Sequence, residues 1–189
     1  MVYLPRGTKL TSSITFTLVV ANVIVFLVTS LGGTYVLLTL AQTGVLFFEG
    51  FYWQVFTAMF VHFDITHILF NMFALVYFGI LDEGTYSKKQ YLAIYFGSGL
   101  VGNAVSLFLI PVNTPTGGAS GAIFGLIGAY VATERKGAGL VIAAAYASLI
   151  FLDSAGPGVN VFAHLFGVVT GLGLGFVFSE GIRKRERDL

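Results

Sequence analysis

The stretch GGASGAIFGLIGAYVAT, residues 117–133, sets one serine, Ser120, at the head of an apolar run that meets no charged side chain before Glu134. Three more polar residues, His164, His67 and Asn71, lie inside other segments just as apolar. Hydrophobic residues make up 56% of the 189 and charged residues 10%, against about 25% charged in a soluble domain. The composition is that of an integral membrane protein of one domain, residues 1–189. Polar groups in hydrocarbon are costly, and those that persist face a bundle interior or a water-filled cavity. The four residues therefore ask for a functional explanation. The 24 glycines suit helices that approach closely in lipid. A net charge of +1 gives no basis for nucleic-acid binding, and the lack of cysteine excludes disulfides and thiolate metal sites.

Outward from Ser120, apolar runs bounded by charge or turn residues give six spans: 13–31, 65–81, 90–110, 120–133, 140–152 and 162–179. The fourth and fifth are short for a hydrocarbon layer of about 30 Å. All ten basic residues fall on one side of this plan: Arg6 and Lys9, Lys88 and Lys89, Arg135 and Lys136, and Arg183, Lys184, Arg185 and Arg187. The positive-inside rule makes that side cytoplasmic, so both termini are cytoplasmic and spans two, four and six run inward. The first apolar run lacks a convincing small-residue cleavage site and reads as a retained span. Residues 32–64 hold no Lys or Arg but include Phe47, Phe48, Phe51, Tyr52, Trp53 and Phe56. They are expected to lie partly in the outer interface. Residues 153–160, with Gly156, Pro157 and Gly158, read as a non-helical outer loop.

Helical rise turns position into depth. Ser120 lies about 21 Å from Glu134, His67 about 22 Å and Asn71 about 17 Å from Asp82, and His164 about 24 Å from Glu180. All four fall in one layer in the outer half, so residues 111–119 must dip into the membrane beside a hydrated cavity. His67 and Asn71, four apart, share a helix face. His62 is expected off that face, nearer the outer surface, as an interface anchor.

Serine becomes a nucleophile when a neighbouring base takes its proton, and His164 suits that role. A helix beginning at Ser120 offers unpaired backbone N–H groups near a positive dipole end, suited to an oxyanion. Gly118 and Gly121 let the backbone approach a carbonyl closely, and Asn71 and His67 can add side-chain donors. The outer acids Glu49, Asp64 and Asp153 lie in loops, so a Ser–His dyad is more economical than a triad. Taken singly, each feature has a plainer reading: a helix cap with small-residue packing for Gly118 to Gly121, interhelical hydrogen bonds for His67 and Asn71. Gly167, Gly171 and Gly175, four apart in span six, read as a packing stripe against Gly121, Gly125 and Gly128 of span four. That contact would bring His164 to Ser120.

These residues resemble the rhomboid family of intramembrane serine proteases. The resemblance rests on Gly118-Ala119-Ser120-Gly121 opening span four, on Ala163-His164 followed by Gly167 and Gly171 in span six, and on His62, His67 and Asn71 in HFDITHILFN. It covers nearly the whole chain in a minimal six-span form. It implies an all-α membrane bundle with a membrane-embedded first outer loop, hydrolysing a peptide bond in or near a substrate's transmembrane helix. Ser120 would be the nucleophile and His164 the base, with Asn71, His67, Gly118 and the Ser120 amide forming the oxyanion hole. Substrate would enter near spans two and five, under a mobile cap at 153–160. Glu83 falls where the family tends to carry an acid. Two positions depart from the pattern: Trp53-Gln54 stands where Trp-Arg is common, and Phe124 where Tyr is frequent.

The expected partners are transmembrane-helix substrates and the lipid bilayer. No cofactor or metal is expected, because three histidines at these positions lack a metal-ligand spacing. Two rival readings are a catalytically inactive, client-binding relative and a proton or solute transporter using His67, His164 and Asn71 as a relay. The intact serine and histidine argue against the first. The inner halves of the spans, almost free of ionisable groups, argue against the second.

Overall fold

A computed structural model describes residues 13–133 and 160–187. Span five (140–152), the inner loop with Arg135 and Lys136, the outer loop 153–159 and the basic residues Arg6 and Lys9 lie outside the described residues. The described chain is helical: α1 (Ile14–Leu40), α2 (Gly44–Phe48), α3 (Gln54–Thr57), a 3-10 turn (Ala58–Phe60), α4 (Ile65–Thr85), α5 (Lys88–Ser106), α6 (Ser120–Thr133) and α7 (Val161–Arg187). By length and composition, α1, α4 and residues Val161–Glu180 of α7 can each cross a bilayer, and α6 is apolar but shorter. The protein is an integral membrane protein built as a helical bundle.

Local chemistry sets the boundaries. Asp64 caps α4 by accepting from the His67 N–H. Ser87 and Gln90 form a capping box that starts α5 at Lys88, two residues before the expected Gln90. At the C-terminal end of α4 the Glu83 carboxyl oxygens accept from the Ser13 hydroxyl (2.7 Å), the Thr15 hydroxyl (2.7 Å) and the Ile14 N–H (2.8 Å). One acid of α4 thus satisfies the otherwise unpaired N-terminus of α1.

Helix α1 runs further than expected. It breaks at Gly33 (φ 70°, ψ −171°) and resumes to Leu40, because the apolar residues beyond the Gly-Gly pair still favour helix. Its final carbonyls, orphaned by helix geometry, are met by side chains from α3 and its flank. Gln54 Nε2 donates to the Leu38 carbonyl (2.8 Å), Trp53 Nε1 to Thr39 (3.0 Å) and the Thr57 hydroxyl to Leu40 (2.7 Å). Gln54 Oε1 accepts from the Thr43 N–H (3.0 Å), and its side chain is wholly buried. The segment read as an interface loop is therefore largely short helix, hung from the end of α1. Its large apolar side chains Phe48, Tyr52, Trp53 and Phe56 remain exposed.

The bundle is centred on α6, where 11 of 14 residues are buried. At 14 residues it is about 21 Å long, whereas the 21 residues of α4 span about 32 Å. The expected glycine stripe is where α7 meets it. A Cβ on Gly167 would overlap the Gly121 carbonyl oxygen, one on Gly171 would overlap that of Gly125, and one on Gly175 would lie 2.7 Å from the Ala129 Cα. Backbone packs on backbone along this line.

Two substitutions test these contacts by thermal unfolding in detergent. Gly171→Ala should destabilise by at least the ~1–3 kcal/mol typical of overpacking, because the atom in the way is rigid backbone. Gln54→Leu should lose about 1–3 kcal/mol by stranding the Thr43 N–H and the Leu38 carbonyl. Unchanged unfolding midpoints would refute both assignments.

Candidate active site

Residues 107–119 deliver Ser120 to the bundle by pairing with the first outer segment. Gln42 and Thr116 exchange reciprocal backbone hydrogen bonds (2.9 and 2.8 Å), the Val45 N–H donates to Val112 (2.9 Å), and the Gly118 N–H donates to Ala58 (2.9 Å). Gly118 sits at φ 133°, a region that favours glycine. The Ala119 carbonyl then accepts from the Ile123 N–H (2.9 Å), the first bond of α6. By helix geometry the N–H groups of Ser120, Gly121 and Ala122 have no intrahelical partner and gather at the positive end of the helix dipole.

His164 arrives from α7, which Asn160 caps: its Oδ1 accepts from the Ala163 N–H (2.9 Å) and its carbonyl from the His164 N–H (3.2 Å). This fixes the histidine one turn into the helix. Its Nε2 lies 2.8 Å from Ser120 Oγ. The Phe124 ring stacks on the imidazole at 4.6 Å with planes 19° apart, so the aromatic face lies against the histidine without a hydroxyl. Ser120 is 9% and His164 3% exposed.

The remaining expected residues approach from α4. A Cβ on Gly118 would stand 2.9 Å from His67 Nε2 and 3.4 Å from Ser120 Oγ. The histidine ring thus closes over the glycine beside the serine hydroxyl. Asn71, buried one turn further along α4, spends one Nδ2 hydrogen on the His67 carbonyl (2.9 Å). The other remains for use, since an amide nitrogen carries two. The structure brings Ser120, His164, His67 and Gly118 together; Asn71 lies one turn from His67 on the same helix, bonded to its backbone carbonyl.

His62 corrects an expectation. Rather than anchoring at the outer surface, it is 1% exposed, with its ring edge-on to His67 at 4.9 Å and Nδ1 3.2 Å from the Phe60 carbonyl. It precedes α4, so helical spacing from His67 does not apply and the extended chain turns it inward. Burial, with the His67 ring adding to it, pushes His62 down to about 3, so this ring stays neutral against its neighbour. The cap at Asn160 was also missed, although an Asn immediately before an apolar run is a helix-start signal. Gln42 belongs to no motif and carried no signal, whereas Gln54 stood out only as a departure from the Trp-Arg pattern.

A buried Ser–His pair at the start of a helix, inside an apolar bundle, has the makings of a serine hydrolase site in a membrane protein. Comparison with known proteins agrees with this class. The rhomboid domain model matches residues 49–181. YdcA of Bacillus subtilis, a rhomboid by name, is 32% identical over 149 residues, 74% of this chain and 72% of its own length. Rhomboid-like protease 2 of Toxoplasma gondii is 27% identical over 68% of this chain, and rhomboid protease GluP of B. subtilis 32% identical over 74%. The match spans 48% of the Toxoplasma protein and 24% of GluP. The chain belongs to the rhomboid family.

Gly118→Ala should remove any activity that depends on Ser120, since the methyl meets both a disfavoured φ and the His67 ring. Loss of Ser120 reactivity, with stability to unfolding lowered by no more than the ~1–3 kcal/mol of local backbone strain, is the expected result; full reactivity would show that the glycine is not needed.

Proposed function

We propose that this chain is an intramembrane serine endopeptidase that hydrolyses a peptide bond in or near the transmembrane helix of a membrane-protein substrate. The observation that carries the reading is the 2.8 Å contact between Ser120 Oγ and His164 Nε2, made at a helix N-terminus rich in backbone donors. Membership of a family whose relatives bear protease names supports it.

In this reading the His164 imidazole takes the Ser120 proton as Oγ attacks the substrate carbonyl. The resulting oxyanion is held by the Ser120 N–H, the spare Nδ2 hydrogen of Asn71 and the His67 ring, with Gly118 leaving room for it. The imidazolium then protonates the departing amine, and a water activated by the same histidine releases the acyl group. No metal or cofactor takes part. A dyad suffices because Asp64 and Glu83 are occupied in capping α4 and α1.

The chain is proposed to form a single six-span domain, with span five at 140–152. Both termini lie in the cytoplasm and the site opens to the outer side. The one-sided distribution of basic residues supports the orientation. The short α6 supports a recessed site, because a helix about 21 Å long leaves Ser120 below the surface of a layer about 30 Å thick. A substrate helix must unwind locally to present its bond, so small or helix-breaking residues near its outer end should favour cleavage.

A serine-directed fluorophosphonate should label Ser120 in the purified protein, and the Ser120→Ala and His164→Ala variants should neither label nor cleave a transmembrane substrate. Asn71→Ala should retain labelling but turn over more slowly, by an amount approaching the ~3–4 kcal/mol of one oxyanion donor. Full cleavage by Ser120→Ala would refute the nucleophile. A client-binding protein without activity would bind the substrate and leave the probe unreacted.

A further inference from the structure

We infer that Gln42 is a positioning residue for the Ser120-bearing segment, holding that segment at the point where it leaves α5 and again just before it enters α6. The inference rests on the protease reading. Gln42 is 3% exposed. Its backbone pairs with Thr116 through two hydrogen bonds, four residues before Ser120. Its side-chain Nε2 donates to the Asn103 carbonyl (3.0 Å) and to Ser106 Oγ (3.2 Å), in the last turn of α5. Asn103 in turn donates to the Val55 carbonyl (2.9 Å). One residue therefore joins the two ends of an otherwise irregular stretch.

The acceptors fix the orientation of the amide. The Asn103 carbonyl can only accept, and the Ser106 hydroxyl already spends its hydrogen on that carbonyl (2.8 Å), so nitrogen rather than oxygen must face them. Gln42 Oε1 has no hydrogen-bond partner among the described residues. Gln42 lines a small cavity with Ser106, Pro111, Thr114 and Thr116. The contacts to α5 thus use the donors of this side chain and not its acceptor.

Position matters here because Gly117 and Gly118 stand between Thr116 and the active serine. Two successive glycines transmit no fixed geometry by themselves. The backbone carrying the oxyanion donors is defined by its pins, Gln42 to Thr116 on one side of the pair and Ala58 to Gly118 on the other. Gln42 is itself steadied through Thr43, whose N–H donates to Gln54. Removing the Gln42 amide leaves the Thr116 bridge in place but frees it from α5, so Ser120 and its neighbouring N–H groups lose their register with His164.

The test uses the full-length protein in lipid, comparing unaltered chain with Gln42→Met, which keeps size but lacks donors, and Gln42→Glu. The readouts are the fluorophosphonate labelling rate of Ser120, kcat and KM for a transmembrane peptide, and the unfolding temperature. Gln42→Met should label and turn over roughly 10- to 100-fold more slowly, as expected for a misplaced reacting group, with KM unchanged. Gln42→Glu should be as slow wherever its carboxyl is ionised. Its rate relative to the unaltered protein should therefore fall as pH rises through the titration of that carboxyl, which burial moves upward, because only the protonated form has a hydrogen to donate to Asn103. Should Gln42→Met fail to fold, this pH-dependent ratio decides the matter. A Gln42→Met protein labelled as fast as the unaltered one, a loss confined to KM, or a Gln42→Glu ratio flat with pH overturns the positioning role. No labelling of the unaltered protein overturns the protease reading and takes this role with it.

Discussion

The site depends on how closely α7 lies against α6. In lipid there is little hydrophobic gain from bringing two helices together, so association relies on packing and polar contacts, both of which reward small residues at the interface. Gly167 and Gly171 on α7 face Gly121 and Gly125 on α6, and the carbonyl oxygens of Gly121 and Gly125 occupy the space that Cβ atoms on Gly167 and Gly171 would need. The separation that results is what sets His164 Nε2 2.8 Å from Ser120 Oγ. Because both residues stand near helix starts, the pair inherits the rigidity of the two rods rather than that of loops. Phe124, one turn inside α6, lies flat against the imidazole and limits its rotation. Packing and chemistry are two consequences of one glycine register.

A second constraint governs everything that is not helix. Irregular backbone at membrane depth must find partners within the protein. Between α1 and α4 the chain meets this demand by side chains reaching back to the end of α1: Gln54, Trp53 and Thr57 take the carbonyls of Leu38, Thr39 and Leu40 in turn. Between α5 and α6 it does so by borrowing partners from that same first segment, at Gln42, Val45 and Ala58. The two irregular segments therefore satisfy each other. The placement of Ser120 at the head of α6 requires the second of them, and the second requires the first.

The helices long enough to cross and the candidates Ser120 and His164 that the structure places in contact were legible in the sequence because each rests on a local pattern. Apolar runs marked α1, α4 and α7, the four-residue glycine spacing marked the α6–α7 contact, and a serine at the head of an apolar run stood out by its cost. What escaped was non-local or depended on a cap. The Gly-Gly pair at 32–33 looked like a stop, yet only Gly33 leaves helical geometry and α1 resumes to Leu40. Ser87 and Asn160 moved helix starts by one or two residues. His62 was measured on a helical ruler although it lies before the helix. The pairings of Gln42 and Gln54 were invisible because their partners are carbonyls, a hydroxyl and a backbone N–H 11 to 64 residues away, and such a pairing leaves no spacing to read.

The choice of glutamine at both pins follows from the same economy. A guanidinium at position 54, as in the Trp-Arg pattern common among rhomboids, has donors alone. It could serve the Leu38 and Thr39 carbonyls but would leave the Thr43 N–H to find another acceptor, and it would bring a charge to a wholly buried place at the cost such burial carries. Gln54 donates to one side and accepts from the other, so a single neutral group closes the turn between α1 and α2. Neutrality has a wider effect. Residues 32–64 contain no Lys or Arg, and an arginine at position 54 would break that pattern, which in the proposed topology lies on the side that the positive-inside rule keeps free of basic residues. The amide thus meets the local hydrogen-bond demand of this segment without weakening the charge asymmetry on which the proposed orientation rests.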